Sequence, residues 1–403
     1  MTMKLERIGR EVIKPASPTT PSHVRTIHLS LFDQFLPTTY LPAIFFYDKT
    51  AEEETVSKIL KSSLSETLTR FYPLAGRIQG VSLDCNDEGA LFTQTRVDML
   101  LSDLLTNPDA LLPEQLIPSD SMDPGTWPLL NINVSFFKAG GMAIGVSVSH
   151  KICDTYSLMM FVQGWASAAK GCSDTVNPVF TTQFFYPPAD LSVEFPSLVK
   201  HGTEPVTQRF VFSTTKLKEL KSRAASENVM VPTRVEAATS LLLNSATKAS
   251  KSNLPLVMTQ TMDLRPRVPP ALLPGMAIGN LFFLPFLKVG SEREMKIEET
   301  VTKLRKSKDD LAEIFKENPQ ENRTIAELVT SWCRFPLYEV DFGWGNPVWV
   351  AAGRMVGVQV IIMDAKDGEG IEAWVTLPEQ DMLEFEHDQE LLAYVTPNPS
   401  ALI

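Results

Sequence analysis

A histidine and an aspartate four residues apart are the first candidates for chemistry in this sequence of 403 residues. They lie in the segment Ser149–Thr155, which reads SHKICDT. An imidazole titrates near ~6.5, so His150 could accept a proton from a substrate at neutral pH. Asp154 could order the backbone of this turn or fix the side chains around His150. The same spacing also arises by chance, so it leaves a purely structural role open.

Cys153 lies inside the same segment and suggests a thiol nucleophile that uses His150 as its base. A reactive thiol needs exposure and a positively charged neighbour, and a separation of three residues does not establish contact. The sequence therefore favours a small buried apolar residue at this position. The other histidines are scattered and show no metal-ligand spacing; they are His23, His28, His201 and His387.

Several common active-site motifs are absent. The sequence has no GxGxxG, P-loop, GxSxG or HExxH pattern, which removes the usual support for dinucleotide, nucleoside triphosphate, serine hydrolase and zinc protease sites. The remaining distinctive segment is DFGWG, residues Asp341–Gly345. Its two glycines permit unusual backbone angles beside a large ring. Taken alone, it predicts a tight turn with a packing function.

Hydrophobic periodicity predicts the elements that position His150. Residues 131–150 alternate around Gly140 and Gly141, which indicates a hairpin whose second strand is Met142–Ser149. Apolar residues then follow at helical spacing from Leu158 to Trp165. His150 is thus expected in the turn between a strand and a helix.

The rest of the chain mixes helices and strands. Trp349–Leu377 contains two β-rich runs around the hairpin signal Lys366–Gly368. The pattern predicts an α/β or α+β fold with mixed sheets in both halves. Helices are predicted over Glu52–Phe71, Ser213–Asn228, Thr233–Ser250 and Glu292–Asn318.

A proline-rich segment divides the chain. Residues 186–207 contain four prolines, which resist a continuous helix or strand. We interpret this segment as a crossover loop between an N-terminal domain, residues 1–185, and a C-terminal domain, residues 208–403. A connection this long is uncommon inside one compact unit.

Composition excludes several classes of protein. A formal net charge of −11 argues against a nucleic-acid partner. No run approaches about 18 apolar residues, so no membrane span is predicted. The four cysteines form no CxxC pair or disulfide framework. Residues 1–15 lack the apolar core of a secretory signal, so we expect a cytoplasmic protein without a metal.

HxxxD at His150–Asp154, followed much later by DFGWG at Asp341–Gly345, resembles the paired signature of the BAHD acyltransferases, plant enzymes that use acyl-CoA. The similarity extends over essentially the whole chain and is strongest to the group containing vinorine synthase and salutaridinol acetyltransferase. Other matching stretches are Phe71–Arg77, Asp84–Gly89, Arg209–Phe212, Thr233–Glu236, Gly279–Asn280 and Thr330–Arg334.

The resemblance implies a fold of two domains like chloramphenicol acetyltransferase, with a solvent channel between them. It implies that His150 takes the proton from the acceptor and that the acyl group moves directly, without an acyl-enzyme. Trp332 would donate its indole N–H to the oxyanion, and Thr330 would line the site. Asp154 would pair with Arg265 and hold the loop of His150. The motif residues Asp341, Gly343, Trp344 and Gly345 would be structural.

The family's CoA-binding segments correspond to Thr233–Arg234 and Gly279–Asn280. A phosphate group favours helix N-termini and a few cations, so Lys248 and Lys251 are looser candidates. Acyl-CoA is expected as co-substrate, with no bound cofactor, and the protein is expected to be a monomer.

The resemblance predicts an O-acetyltransferase that uses acetyl-CoA to modify an alkaloid or terpenoid-like plant metabolite. Several alternatives remain. The donor could carry a malonyl, benzoyl or longer acyl group, and the acceptor could be an amine. The chain could also be a homologue diverted to ester hydrolysis or cyclisation, or a catalytically idle homologue that binds a partner. Two residues depart from the family pattern. Thr155 replaces the usual Gly or Ala after the motif Asp, and Asp263 brings a second carboxylate near Arg265.

Overall fold

The computed structural model has a mixed α/β fold with two large sheets. It describes residues 3–19, 25–108, 111–117, 127–172, 176–180, 187, 205–250, 256–269, 276–289, 295–309, 325–353 and 359–402. Within this part of the chain no helix is long and apolar enough to cross a membrane.

The helices are α1 (Leu31–Phe35), α2 (Glu53–Arg70), α3 (Leu101–Thr106), α4 (Leu111–Glu114), α5 (Thr155–Ala169), α6 (Thr214–Arg223), α7 (Arg234–Ala249), α8 (Ile297–Asp309), α9 (Glu379–Phe385) and α10 (Gln389–Leu392). Short 3₁₀ turns cover Tyr72–Ala75, Arg265–Arg267 and Leu337–Glu339. The strands are β1 (Leu5–Ile13), β2 (Thr26–His28), β3 (Tyr40–Tyr47), β4 (Arg77–Gln79), β5 (Ser82–Asp84), β6 (Ala90–Leu100), β7 (Leu130–Lys138), β8 (Met142–Ser149), β9 (Val179–Phe180), β10 (Pro205–Phe212), β11 (Leu256–Gln260), β12 (Met262–Asp263), β13 (Ala277–Ile278), β14 (Phe282–Phe283), β15 (Phe286–Val289), β16 (Ile325–Ser331), β17 (Trp349–Ala352), β18 (Gln359–Asp364), β19 (Ile371–Pro378) and β20 (Thr396–Pro397).

The two large sheets each have a hydrophobic core of their own. The first has the strand order β1-β6-β7-β8-β3-β17, and α2 and α5 bury their apolar faces in its core. The second has the order β15-β11-β16-β18-β19-β10-β20, with α6, α7, α8 and α9 packed on it. This arrangement confirms the predicted mixed fold.

The predicted hairpin leads directly to the histidine. β7 and β8 pair antiparallel, and the turn uses Gly140 at φ 109° and Gly141 at φ 81°, angles that favour glycine. β8 ends at Ser149, and the backbone N–H of His150 donates to Thr39 O at 2.8 Å. Asp154 then caps α5 by accepting from the N–H of Ser157.

Most predicted helices are confirmed with ends within a few residues. α2, α6 and α7 match the predicted ranges, because each has regular apolar spacing. The prediction over Glu292–Asn318 corresponds to α8, and residues 292–294 and 310–318 of the predicted range lie outside the described part of the chain. Most of the predicted crossover loop, residues 186–207, also lies outside it.

The β-rich segment after Trp349 differs from the prediction. β18 and β19 form the expected hairpin around Gly368. However, β17, at the start of this segment, is not part of the hairpin and pairs with β3 in the first sheet. A division at residues 186–207 therefore does not separate the sheets completely, because the C-terminal half supplies the edge strand of the N-terminal sheet. Four apolar residues are too few to show from sequence which sheet they join.

Candidate functional site

The imidazole of His150 lies in the turn between β8 and α5. Its Nδ1 is 3.0 Å from the carbonyl oxygen of Cys153 and 3.2 Å from Asn280 Oδ1. The ring also packs against Phe282, with 5.9 Å between ring centroids. A carbonyl can only accept a hydrogen bond, so Nδ1 carries the proton that bonds Cys153, and Nε2 retains its lone pair.

Burial sets the protonation state of His150. Desolvation lowers its pKa, and the charge of Asp154 with the two Nδ1 acceptors only partly opposes this shift. The ring is therefore neutral at pH 7. A neutral, oriented imidazole with its lone pair on Nε2 is able to accept a proton from a bound hydroxyl or amine.

Asp154 is held by a buried ion pair, as the resemblance implied. Arg265 donates through Nη1 to Asp154 Oδ2 at 2.8 Å and through Nη2 to Oδ1 at 3.2 Å. The carboxylate also accepts from Ser157 and from the backbone N–H of Leu281. Burial alone would raise the pKa of Asp154, but Arg265 and these donors outweigh it and hold the pKa below its usual value. Asp154 is thus an anchor of the turn and has no proton to relay.

Arg265 joins the two halves of the chain. Its guanidinium lies 4.1 Å from the ring centroid of Tyr156 and donates to the carbonyl oxygens of Ala277 and Gly279. Asp263 Oδ1 also lies 3.0 Å from Nη1. Both carboxylates therefore approach this arginine, as the sequence indicated when Asp263 was found to place a second acid near it. Burial opposes the charge of Arg265, but the two acids raise its pKa above the ordinary value.

Trp332 lies in the turn after β16, where its backbone N–H donates to Ile362 O. Its side chain is 1% exposed, and its Nε1 has no hydrogen-bond partner among the described residues. A buried indole N–H without an acceptor is uncommon. Thr330 lies in the preceding strand and accepts a hydrogen bond from Thr261 at 3.0 Å. Trp344 and Trp374 also have an indole N–H without a partner among the described residues, so the oxyanion role that the resemblance implied for Trp332 stays a prediction.

Gly279 and Asn280, predicted on the CoA side, lie against the histidine turn. The side chain of Asn280 is fully buried, and its Nδ2 donates to His150 O and to Asp33 Oδ1, each at 2.8 Å. Gly279 exchanges hydrogen bonds with Ser157. These contacts stabilise the turn, and contact of either residue with CoA stays a prediction.

Thr233 and Arg234 begin α7, as predicted, and have partners within the protein. Thr233 caps the helix in a reciprocal box with Glu236. Arg234 pairs with Asp364 and donates to Gly368 O in the β18–β19 hairpin. The looser candidate Lys248 pairs with Glu390, and Lys251 lies outside the described residues. CoA binding by this group stays a prediction.

The DFGWG segment forms a tight turn around its aspartate. Asp341 Oδ1 accepts from the backbone N–H groups of Gly343 and Gly345 at 2.8 and 2.9 Å. Both glycines have positive φ, 110° and 102°. Trp344 stacks on Phe342, with 5.9 Å between ring centroids. This geometry agrees with a structural function.

Cys153 has no features of a nucleophile. It is 1% exposed, and burial raises the pKa of its thiol well above the ordinary value, so the thiolate is not populated at neutral pH. Among the described residues, no group of histidine, cysteine and acidic side chains could hold a metal ion.

Asp33 is a residue of this site that the sequence did not single out. It lies in α1, is 3% exposed, and accepts from Asn280 and Ser30. Burial raises its pKa to about 6, although these donors oppose the shift. The pattern Ser30-x-x-Asp33 could have predicted a capping box. Nothing in the sequence connects it with a histidine more than a hundred residues away.

Comparison with known proteins supports the same family. A family model described as Transferase family matches residues 3–392. The chain is 46% identical to the BAHD acyltransferase BIA1 of Arabidopsis thaliana, covering 99% of both. It is 33% identical to a limonoid 21-O-acetyltransferase of Melia azedarach, covering 99% of this chain and 100% of the relative.

Solved structures agree on the fold. Vinorine synthase superposes with a TM-score of 0.84 at 31% identity, over 99% of this chain and 100% of its own. F. graminearum TRI101, solved with coenzyme A and deoxynivalenol, gives 0.71 at 18% identity over 92% and 99% of the two chains, which supports the fold alone. From the His150 turn, the extent of the family match and these full-length relatives, we conclude that the chain belongs to the BAHD acyltransferases.

Proposed function

We propose that this enzyme transfers an acetyl group from acetyl-CoA to a hydroxyl group of a plant alkaloid or terpenoid-like metabolite. The observation that carries the proposal is the neutral, partly buried His150, whose protonated Nδ1 bonds Cys153 O and whose Nε2 keeps its lone pair. Such a group is suited to take a proton from an alcohol at neutral pH.

In the proposed reaction, His150 Nε2 removes the hydroxyl proton as the acceptor oxygen attacks the thioester carbonyl of acyl-CoA. The resulting oxyanion accepts a hydrogen bond from Trp332 Nε1, which has no partner in the described part of the chain. Collapse of the tetrahedral intermediate expels the thiolate of CoA, which receives the proton from His150. Transfer is direct, since the buried thiol of Cys153 is no acyl carrier.

The relatives support acetyl as donor group and a hydroxyl as acceptor. The limonoid 21-O-acetyltransferase of Melia azedarach, by its name, acetylates an oxygen of a limonoid. A second relative, 34% identical over 100% of its length, is a limonoid 21-O-acetyltransferase of Citrus sinensis. Akuammiline synthase 1 of Alstonia scholaris is 33% identical, so acceptors other than limonoids also belong in the test set.

The test is product identification with purified enzyme. Acetyl-CoA is offered with a pool of limonoids, hydroxylated indole and isoquinoline alkaloids and simple alcohols, and products are identified by mass spectrometry. Malonyl-, benzoyl- and longer acyl-CoA donors run in parallel. An acetylated alcohol as the main product supports the proposal. Preference for another donor, or an N-acylated product, would overturn it in part. If no donor gives a product although the protein still binds CoA, the protein is a catalytically idle homologue.

A further inference from the structure

The amide of Asn280 connects the catalytic histidine to a buried carboxylate in another element. Asn280 Oδ1 lies 3.2 Å from His150 Nδ1. Its Nδ2 donates to Asp33 Oδ1 and to the backbone oxygen of His150, each at 2.8 Å. Asn280 is fully buried and Asp33 is 3% exposed, so water does not compete for these contacts.

The partners of Asn280 determine which way its amide faces. A carboxylate and a backbone carbonyl oxygen can only accept hydrogen bonds, so both must receive the two N–H bonds of Nδ2. The amide oxygen is then left for His150. If the amide were reversed, its oxygen would face two acceptors and lose two buried hydrogen bonds.

The amide oxygen in turn determines the tautomer of the histidine. Asn280 Oδ1 and Cys153 O both face Nδ1 and neither can donate, so only a protonated Nδ1 satisfies them. We propose that Asn280, oriented by Asp33, is a positioning residue that locks His150 in the tautomer with its free lone pair on Nε2. This inference rests on the proposed function, in which Nε2 is the base.

The direct test is the tautomer of His150, which can be measured without any substrate. Two-bond ¹H–¹⁵N correlation spectra of histidine-labelled enzyme at pH 8 distinguish the two neutral tautomers, and loss of signals in His150→Ala identifies the ring. In the wild type we expect Nδ1 to carry the proton. An Nε2-protonated ring in the wild type would overturn the inference, even if every variant failed to fold.

Two variants test the connection itself. In Asn280→Leu, one of the two Nδ1 acceptors, Cys153 O, remains, so we expect both tautomers to be populated and kcat to fall by about 2- to 10-fold, as the fraction of the active tautomer falls. KM for acyl-CoA should stay within about 2-fold. A raised KM with unchanged kcat and tautomer would instead place Asn280 in CoA binding and overturn the inference.

Asp33→Asn retains the size of the side chain but removes one of the two groups that require Asn280 Nδ2, so that His150 O alone still favours the observed face of the amide. We expect a smaller fall in kcat than in Asn280→Leu, about 2-fold, and the double variant should be no worse than Asn280→Leu, because both changes break one connection. If the losses of kcat in the two single variants added fully in the double variant, Asp33 would not act through Asn280, and the inference would be contradicted.

The matched control is Asn133→Leu. Asn133 is also buried, 4% exposed, but its amide bonds Leu116, Ser135 and Thr95. The Asn133→Leu variant should have a lower free energy of unfolding, while the tautomer of His150 and kcat remain unchanged. An equal loss of kcat in this control would show a general effect of buried asparagine loss and would overturn the assignment. Acetyl transfer surviving in His150→Ala would refute the proposed base and leave the tautomer result valid.

Discussion

At the scale of single residues, the protonation state of His150 makes a prediction about pH. Burial lowers its pKa below the ordinary value near ~6.5, and only the neutral ring acts as a base. The acid limb of kcat/KM should therefore lie below pH 6.5, with activity lost as pH falls through it. A kcat/KM profile from pH 5 to 9 checks this, and a limb well above pH 7 would contradict a desolvated histidine.

The indole N–H of Trp332 makes a second prediction at this scale. Trp332→Phe keeps a buried aromatic ring but removes the unpaired donor. We expect kcat to fall about 10²- to 10³-fold, the usual loss for one oxyanion donor, with KM for acyl-CoA nearly unchanged.

Trp374→Phe is the control for this change. Trp374 is 2% exposed, its Nε1 likewise has no partner among the residues that the structure describes, and its ring stacks on Trp349. Its kcat should stay close to wild type. An equal loss of kcat in both variants would contradict the proposal that Trp332 is the oxyanion donor.

The two acids at Arg265 differ in what they stabilise. Asp154→Asn removes the buried partner of a buried charge and should cost about 3 kcal/mol of unfolding free energy. Asp263→Asn should cost less than about 1 kcal/mol, because the side chain of Asp263 is 30% exposed. Urea unfolding compares the two variants, and an equal or larger loss for Asp263→Asn would contradict this ranking.

The same pair has a signed dependence on pH. The folded pKa of Asp154 is depressed, so its stabilisation is complete above the unfolded value near ~3.9. It is lost as pH falls through the folded pKa. Asp154→Asn should therefore flatten the acid limb of the stability curve.

At the scale of elements, the turn at Asp341 should stabilise without taking part in catalysis. Asp341→Ala removes the acceptor for two backbone N–H groups and the partner of Lys170. We expect a loss of about 1–2 kcal/mol, with kcat per folded molecule unchanged. Thermal unfolding alongside steady-state kinetics separates the effects, and a loss of kcat above 10-fold at full folding would show a catalytic function.

Local patterns predicted the elements well and the contacts between them poorly. The helix Arg234–Ala249 could be predicted because its capping box and apolar spacing are contained within its own sequence. β17 could not be assigned to a sheet, since its pairing with β3 is decided by distant packing. Asn280 was placed by family likeness on the CoA side, whereas its contacts with His150 and Asp33 depend on tertiary structure.

At the scale of the whole molecule, the two halves are joined at the turn that carries His150. Arg265 and Asn280, from the second half, bind the segment that carries His150 in the first. β17 also crosses into the first sheet. The orientation of His150 thus depends on the assembly of both halves, so we expect acyl transfer to be lost whenever they separate.

The most direct test of the account is acceptor-dependent release of CoA thiol from acetyl-CoA by three proteins. They are the wild type, His150→Ala and the control His387→Ala, whose side chain is 75% exposed. With an acceptor identified as above, the wild type and His387→Ala should release thiol at equal rates, and His150→Ala should be slower by about 10²- to 10⁴-fold. Release by folded His150→Ala at the wild-type rate would contradict the assignment of His150 as the base.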